Sequence, residues 1–249
     1  DPDLVLRAEG DDATLNRNWR NDRESFDPVD GNGLAALRTL LAEIAMPVPD
    51  ALPPALACLV GYFGYDTIAL VEKLPRVAND PLGLPDMVFV FDALTDEVFV
   101  IAPVWPTQKP AEHALDGAAQ RIDEALRRLA FPVPTSAHSG AQAEAVLGGD
   151  ITLQSTVPAA DYAARVAAAQ DYIVAGDIFQ VVLAQRFTTP FPLSAMALYR
   201  ALRRVNPSPF LYLLDLPEAG IVGSSPEILV RLRDGKITVR PIAGTRPRG

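Results

Sequence analysis

Apolar residues recur at Leu34, Leu37, Leu41 and Ile44, a helical spacing that predicts an amphipathic helix closed by Pro47 and Pro49. The same period returns from Glu112 to Leu129. There Leu115, Ala118, Ile122, Ala125, Leu126 and Leu129 share one side, and Arg121, Asp123, Glu124, Arg127 and Arg128 read as a solvated face. A third helix opens at Pro158 and Asp161, carries Tyr162, Val166, Ala169 and Ile173 on one face, and stops at Gly176. A fourth is capped by Ser194 and runs through Met196, Leu198, Tyr199 and Leu202 to Val205.

Between these helices lie short apolar runs bounded by Gly, Pro and Asp, which predict strands. They are Leu4–Ala8, Cys58–Ile68, Val88–Phe91, Glu97–Val104, Ile178–Phe187, Phe210–Leu216, Ile221–Ser224, Ile228–Arg233 and Lys236–Arg240. Asp234-Gly235 is a tight hairpin signal joining the last two. Strand following strand through short turns implies antiparallel sheets packed with helices, an α+β fold. The stretch Phe131–Gly149 is rich in Pro, Ser, Ala and Gly and has no period, so it reads as a linker. The expected organisation is an N-terminal region, 1–130, a linker, 131–150, and a second region, 151–249.

Composition narrows the function classes. With 49% hydrophobic and 21% charged residues, the chain has the apolar mass for a globular core. A net charge of −9 argues against nucleic acid as a partner. No window approaches the roughly 18 apolar residues of a membrane span. Cys58 is the only cysteine, which excludes an internal disulfide and fits a reducing, cytoplasmic setting; its small-residue surroundings suggest packing. Only His113 and His138 are present, which argues against a histidine metal site or a Ser-His-Asp triad.

Three stretches place polar groups beside apolar runs: Gly176-Asp177-Ile178-Phe179-Gln180 onward to Arg186, Ser225-Pro226-Glu227, and Pro241-Ile242-Ala243-Gly244-Thr245-Arg246-Pro247-Arg248-Gly249. Taken singly, each is equally a solvent-facing strand or turn. Glu227 alone reads as a surface glutamate after Pro226, and Gln180 as a polar group satisfied by neighbouring backbone. Together with Asn206-Pro207-Ser208-Pro209-Phe210 they resemble the chorismate-utilising enzymes, most closely the anthranilate synthase large-subunit branch. The likeness is dense from Asp161 to Gly249. It is looser before, through Leu59-Val60-Gly61-Tyr62-Phe63-Gly64-Tyr65-Asp66.

That resemblance implies a lyase that converts chorismate and ammonia to anthranilate and pyruvate in tryptophan biosynthesis. The C4 hydroxyl of chorismate is a poor leaving group, and a protonated carboxyl can supply its proton. The resemblance assigns this general-acid role to Glu227. Relatives that use water carry a lysine base where this chain has Gln180, which can hold ammonia or substrate but cannot deprotonate water. Ala243 occupies the position of an attacking lysine in many aminodeoxychorismate synthases, which disfavours that branch. Gly244 and Thr245 match chorismate-contacting positions, and Arg246 and Arg248 receive no role. Pro209, Phe210 and Leu211 match a segment lining an L-tryptophan regulatory pocket. The family more often has Tyr and Met where this chain has Phe210 and Leu211.

The resemblance further implies Mg2+ as cofactor and a glutamine amidotransferase, separate or fused, as ammonia source. Family members extend past the Gly-Thr-Arg-Pro-Arg-Gly motif and begin before Asp1. The magnesium ligands and the histidine tied to pyruvate loss are therefore expected outside these residues, with no metal site within them and no activity from them alone. Two other readings remain open here: an aminodeoxychorismate synthase component, and a non-catalytic tryptophan-binding or assembly module.

Overall fold

The computed structural model describes residues 2–45, 47, 49, 59–72, 79–85, 88–92, 96–104, 111–132, 151–216 and 219–242. The chain divides into two compact units, Asp1–Pro132 and Val133–Gly249. The expected linker residues 133–150, together with Cys58 and His138, lie outside the described residues.

The first unit is built on a five-stranded antiparallel sheet. Its strands are β1 (Pro2–Glu9), β2 (Asp12–Asn16), β3 (Asp27–Val29), β4 (Val60–Gly61) and β5 (Asn79–Pro85), in the order β3-β2-β1-β5-β4. Pairing of Leu6 with Leu15 and Val5 with Asn16 sets the β1–β2 register. One face of the sheet is covered by helix α1 (Gly33–Ile44), capped by Asn32, whose Oδ1 accepts the Ala35 N–H at 3.1 Å. Leu4, Leu6, Ala13, Leu15, Ala36, Leu40 and Ile44 form the core between them. The helix approaches closely because Gly33 has no Cβ: one built there would lie 2.5 Å from Ala8 Cβ.

Alternation along β1 sends Arg7 to the other face, where its guanidinium lies 4.1 Å from the Phe26 ring and 5.9 Å from buried Trp19. The Asn18–Asp22 turn beside it is held by fully buried Asn16, whose Nδ2 donates to the Asp22 carbonyl at 2.7 Å and whose Oδ1 accepts the Asn18 N–H at 2.8 Å. Strands β2 and β3 are not among the strands expected from sequence. In Asp12–Asn16 only Ala13 and Leu15 alternate inward, a pattern too short to stand out.

The strand expected over Cys58–Ile68 reduces to Val60–Gly61, and Tyr65–Leu70 forms a 3-10 helix instead. Gly61 and Gly64 interrupt the run, and the described ladder pairing is limited to Val60 and Gly61, opposite Gly83 and Leu82 of β5. Strands β6 (Val88–Asp92) and β7 (Glu97–Ile101) form a separate hairpin. Helix α2 (Ala111–Leu129) is present, but its inward stripe is turned from the expected one. Ala118 and Ala125 are buried, whereas Leu115, Leu126 and Leu129 are exposed. Arg121, expected on the solvated face, is half-buried and donates from Nη2 to the Pro103 carbonyl at 2.8 Å. Small side chains allow a close approach that long leucines do not, and the guanidinium satisfies a carbonyl there.

The second unit begins with β8 (Gln154–Ser155) and helix α3 (Ala159–Ala175). Gly176 closes the helix at φ 85°, with the Asp177 N–H bonded to the Tyr172 carbonyl at 3.0 Å and the Gly176 N–H to that of Ile173 at 3.2 Å. The expected strand Ile178–Phe187 is not one. Only Phe187–Thr188 (β9) pairs, with β8, and the preceding residues are irregular, with Phe179 fully exposed. β-propensity alone does not create a ladder, and the backbone bonds described for residues near its end run to 154–156.

Helix α4 (Ala195–Val205) is capped by Ser194, which accepts the Ala197 N–H at 3.2 Å, and packs on the hairpin of β10 (Phe210–Asp215) and β11 (Gly220–Ser225). A second hairpin joins β12 (Arg231–Arg233) to β13 (Lys236–Thr238), both shorter than expected. Its Asp234-Gly235 turn has the two positive φ values, 51° and 71°, that a primed turn requires. Among the described residues of this unit, Ala169 is the buried hydrophobic, while Val182, Leu229 and Val230 are exposed. The fold is α+β, with helices beside antiparallel sheets.

Candidate functional site

Two of the sequence-predicted groups, Pro209–Leu211 and Glu227, lie at or just beyond the open end of the β10–β11 hairpin. Register places Phe210 opposite Ser225 and Leu211 opposite Ser224. The segment expected to bind tryptophan therefore lies beside the strand end that leads into Ser225-Pro226-Glu227. At that end Ser225 forms a compact turn: its Oγ donates to the Glu227 carbonyl at 3.0 Å and accepts the Glu227 N–H at 3.3 Å. The Glu227 side chain is exposed, and its Oε1 accepts the Ile242 N–H at 2.9 Å. This bond joins the Ser-Pro-Glu turn to the start of the Pro-Ile-Ala-Gly-Thr stretch, across a sequence separation that contains the whole β12–β13 hairpin.

A second group of bonds was not singled out from sequence. Ser224 Oγ lies 2.7 Å from the Asn206 carbonyl and 2.9 Å from Ser208 Oγ, which in turn lies 2.8 Å from the Ser225 carbonyl. These hydroxyls fasten the Asn206-Pro207-Ser208-Pro209 turn to the last residues of β11. The available signal was Ser224-Ser225 ending an apolar strand, a common pattern for an ordinary turn.

Gln180 sits elsewhere in the unit, exposed on the irregular stretch after α3. The bonds described near it hold that stretch to the segment before α3. Gln185 Nε2 donates to Ser155 Oγ and, at 3.3 Å, to the Val157 carbonyl, and the Thr156 N–H bonds the Arg186 carbonyl at 2.9 Å. Tyr162 on α3 donates its hydroxyl to the Leu183 carbonyl at 3.4 Å. Pro209 and Phe210 are exposed and Leu211 is half-buried. Ala243, Gly244, Thr245, Arg246 and Arg248 lie outside the described residues. Among the described residues, no three His, Cys, Asp or Glu side chains are grouped so as to hold a metal ion.

Comparison with known proteins bears on this geometry. The family profile described as chorismate binding enzyme matches residues 11–249. The chain is similar to anthranilate synthase component 1 of Cereibacter sphaeroides, at 46% identity over all of this chain and 50% of that protein. It is also similar to the component 1 proteins of Pseudomonas aeruginosa, at 41% identity over 91% of the chain and 46% of the relative, and of Thermus thermophilus, at 42% over 86% and 45%. Its fold resembles the crystal structure of anthranilate synthase component I from Streptococcus pneumoniae, with a TM-score of 0.75 at 22% identity, covering 96% of this chain and 52% of that one. The chain thus spans about half the length of the curated relatives it matches. With a profile match that takes in both units and this identity along the whole of the sequence, the chain belongs to the chorismate-binding enzyme family.

Proposed function

We propose that the full-length protein is an anthranilate synthase large component, which converts chorismate and ammonia to anthranilate and pyruvate. Residues 151–249 form the first part of its chorismate-binding domain, and residues 1–130 the N-terminal region that precedes it. The observation that carries the reading is the bond between Glu227 Oε1 and the Ile242 N–H, at 2.9 Å. It holds a carboxyl group at the entrance to the Pro-Ile-Ala-Gly-Thr stretch, where Gly244 and Thr245 would meet chorismate.

The division of labour within that carboxyl follows from the bond. Oε1 is engaged as an acceptor, so a proton held by the group resides on Oε2, free of that contact. As ammonia attacks C2 of chorismate, Glu227 gives this proton to the departing C4 hydroxyl, which leaves as water. Gln180 would hold ammonia or substrate by its amide, and Ala243 leaves no lysine to compete as a covalent nucleophile. A bound Mg2+ would neutralise the ring carboxylate, and its ligands would come from outside the described residues. Ammonia would be delivered by a glutamine amidotransferase component. Pro209, Phe210 and Leu211 would line a site for L-tryptophan as inhibitor. A cytoplasmic setting fits this chemistry; no helix among the described residues is long and apolar enough to cross a membrane.

The test is product identification. Full-length protein is incubated with chorismate, magnesium and an ammonium salt, with anthranilate followed by fluorescence and pyruvate by a coupled assay. Stoichiometric anthranilate and pyruvate are expected. An aminated chorismate that carries its nitrogen at C4 and retains its enolpyruvyl group would move the protein to the aminodeoxychorismate branch, and no chorismate consumption would overturn the enzymatic reading. A tryptophan titration of the same assay tests the regulatory part, and flat activity would remove it.

A further inference from the structure

The hydroxyls of Ser208 and Ser224 carry a constraint that their distances alone reveal. Three oxygen–oxygen contacts run in series: Asn206 carbonyl to Ser224 Oγ at 2.7 Å, Ser224 Oγ to Ser208 Oγ at 2.9 Å, and Ser208 Oγ to the Ser225 carbonyl at 2.8 Å. Each serine has one hydroxyl proton, so only two protons serve three contacts. Two arrangements avoid a bare oxygen–oxygen contact between the hydroxyls. Either Ser224 donates to Ser208 and Ser208 to the Ser225 carbonyl, or Ser208 donates to Ser224 and Ser224 to the Asn206 carbonyl. The chain of bonds therefore points toward one carbonyl or the other.

We propose that Ser208 is a positioning residue for Glu227, and that Ser224 controls whether the Ser208 proton reaches the Ser225 carbonyl; this rests on the role proposed above for Glu227. Ser208 is presented by a stiff segment. Pro207 and Pro209 each have a fixed φ, and the residue before a proline is confined to extended backbone. On the receiving side, the Ser225 carbonyl belongs to the peptide that enters Pro226, whose ring removes a rotation between that peptide and Glu227. The Ser225 hydroxyl clamps Glu227 main chain at both its N–H and its carbonyl. A tilt of the Ser225 peptide consequently reaches the Glu227 carboxyl with little slack, and the Ser208 bond resists that tilt in addition to the ladder pairing of Ser225 with Phe210.

The two serines then have unequal consequences, which a merely structural pair would not. Ser208→Ala removes the donor to the Ser225 carbonyl and leaves Ser224 bonded to Asn206. Ser224→Ala leaves the Ser208 proton with the Ser225 carbonyl as its sole acceptor in the chain. In full-length protein, Ser208→Ala should lower kcat for anthranilate formation about tenfold with KM for chorismate within about threefold of wild type, the mark of an interaction felt in the chemical step. Ser224→Ala should lose far less, and Ser208→Thr, which keeps a hydroxyl, should restore most of the rate.

Thermal melting of each variant separates misfolding from mispositioning. Should Ser208→Ala fail to fold, the comparison of Ser208→Thr with Ser208→Val, which match in size and differ in the hydroxyl, replaces it. Equal losses in folded Ser208→Ala and Ser224→Ala, or a folded Ser208→Ala with wild-type kcat, would overturn the proposal while wild-type anthranilate formation leaves the functional reading standing. A wild-type protein that forms no anthranilate overturns both.

Discussion

Replacing Gly33 by alanine tests the closest contact between helix and sheet in the first unit. Alanine normally favours a helix over glycine by about 1 kcal/mol in its interior, and by less at a first helical residue such as this one. Against that gain stands geometry. The new Cβ would lie 2.5 Å from Ala8 Cβ, about 1 Å short of ordinary van der Waals contact. Ala8 has no flexible end to swing aside, so the start of α1 or the β1 backbone must retreat. Overpacking of this kind costs about 1–3 kcal/mol. The net expectation is a loss of about 1–2 kcal/mol, the clash exceeding the propensity gain.

Gly117 supplies the control. It lies inside α2, and a Cβ there meets only Arg121 Nη1, at 3.8 Å, an ordinary contact. Gly117→Ala should therefore stabilise by about 1 kcal/mol, giving the same substitution opposite signs at two sites. Urea denaturation, followed by far-ultraviolet circular dichroism and by tryptophan fluorescence with buried Trp19 as reporter, measures both, at unchanged m-value. A Gly33→Ala variant as stable as wild type would refute the close approach of α1 to β1.

Other perturbations follow from the same geometry. Asn16→Ala strips the Asn18 N–H and the Asp22 carbonyl of their partner beside the core, and should destabilise by about 2–3 kcal/mol in the same urea assay, with a red shift of Trp19 emission. Asn32→Ala removes the α1 cap and should lose about 1 kcal/mol, whereas Asn32→Asp, which keeps the acceptor, should lose little. The Glu124 carboxyl is held below its usual value near 4.5 by the hydrogen bond from Arg128 and then by the charge of Arg127. Because the folded value is the lower one, this contribution is present above the ordinary carboxylate range and lost as pH falls through the folded value. The stability difference between wild type and Glu124→Gln should be present at neutral pH, shrink below the ordinary range, and be reduced by salt, since the ion pair lies at the surface. A difference that is constant from neutral to strongly acid pH would contradict the assignment.

What could be read from the sequence was what local chemistry decides. The helices α1 and α3, the Ser194 cap, the Gly176 stop and the Asp234-Gly235 turn all rest on contacts within a few residues, and the structure shows each of them. The inward face of α1 is nevertheless turned so that Ala36, Leu40 and Ile44 are buried and Leu41 is exposed. Features decided by distant partners were not legible. β5 contains Pro81, Gly83 and Pro85, which argue against a strand, yet it pairs with β1 along its length. Ile178–Arg186 has strand composition without a ladder partner and stays irregular. The side of α2 that turns inward depends on what its alanines can approach, and leucine spacing did not predict that. At the site, the family resemblance pointed to Glu227 and to Pro209–Leu211. Their proximity, through the pairing of Phe210 with Ser225 and the bond from Ile242, is a product of tertiary structure. The serine hydroxyls between them looked like ordinary turn residues.

The most direct test of the account is Glu227→Gln in the full-length protein, measured for both chorismate binding and turnover. The glutamine carbonyl can still accept the Ile242 N–H, so the turn is preserved while the transferable proton is lost. The account predicts chorismate affinity within about threefold of wild type by calorimetry and a fall in anthranilate formation of at least about a hundredfold, the scale of a lost general acid. Turnover near the wild-type rate would contradict it.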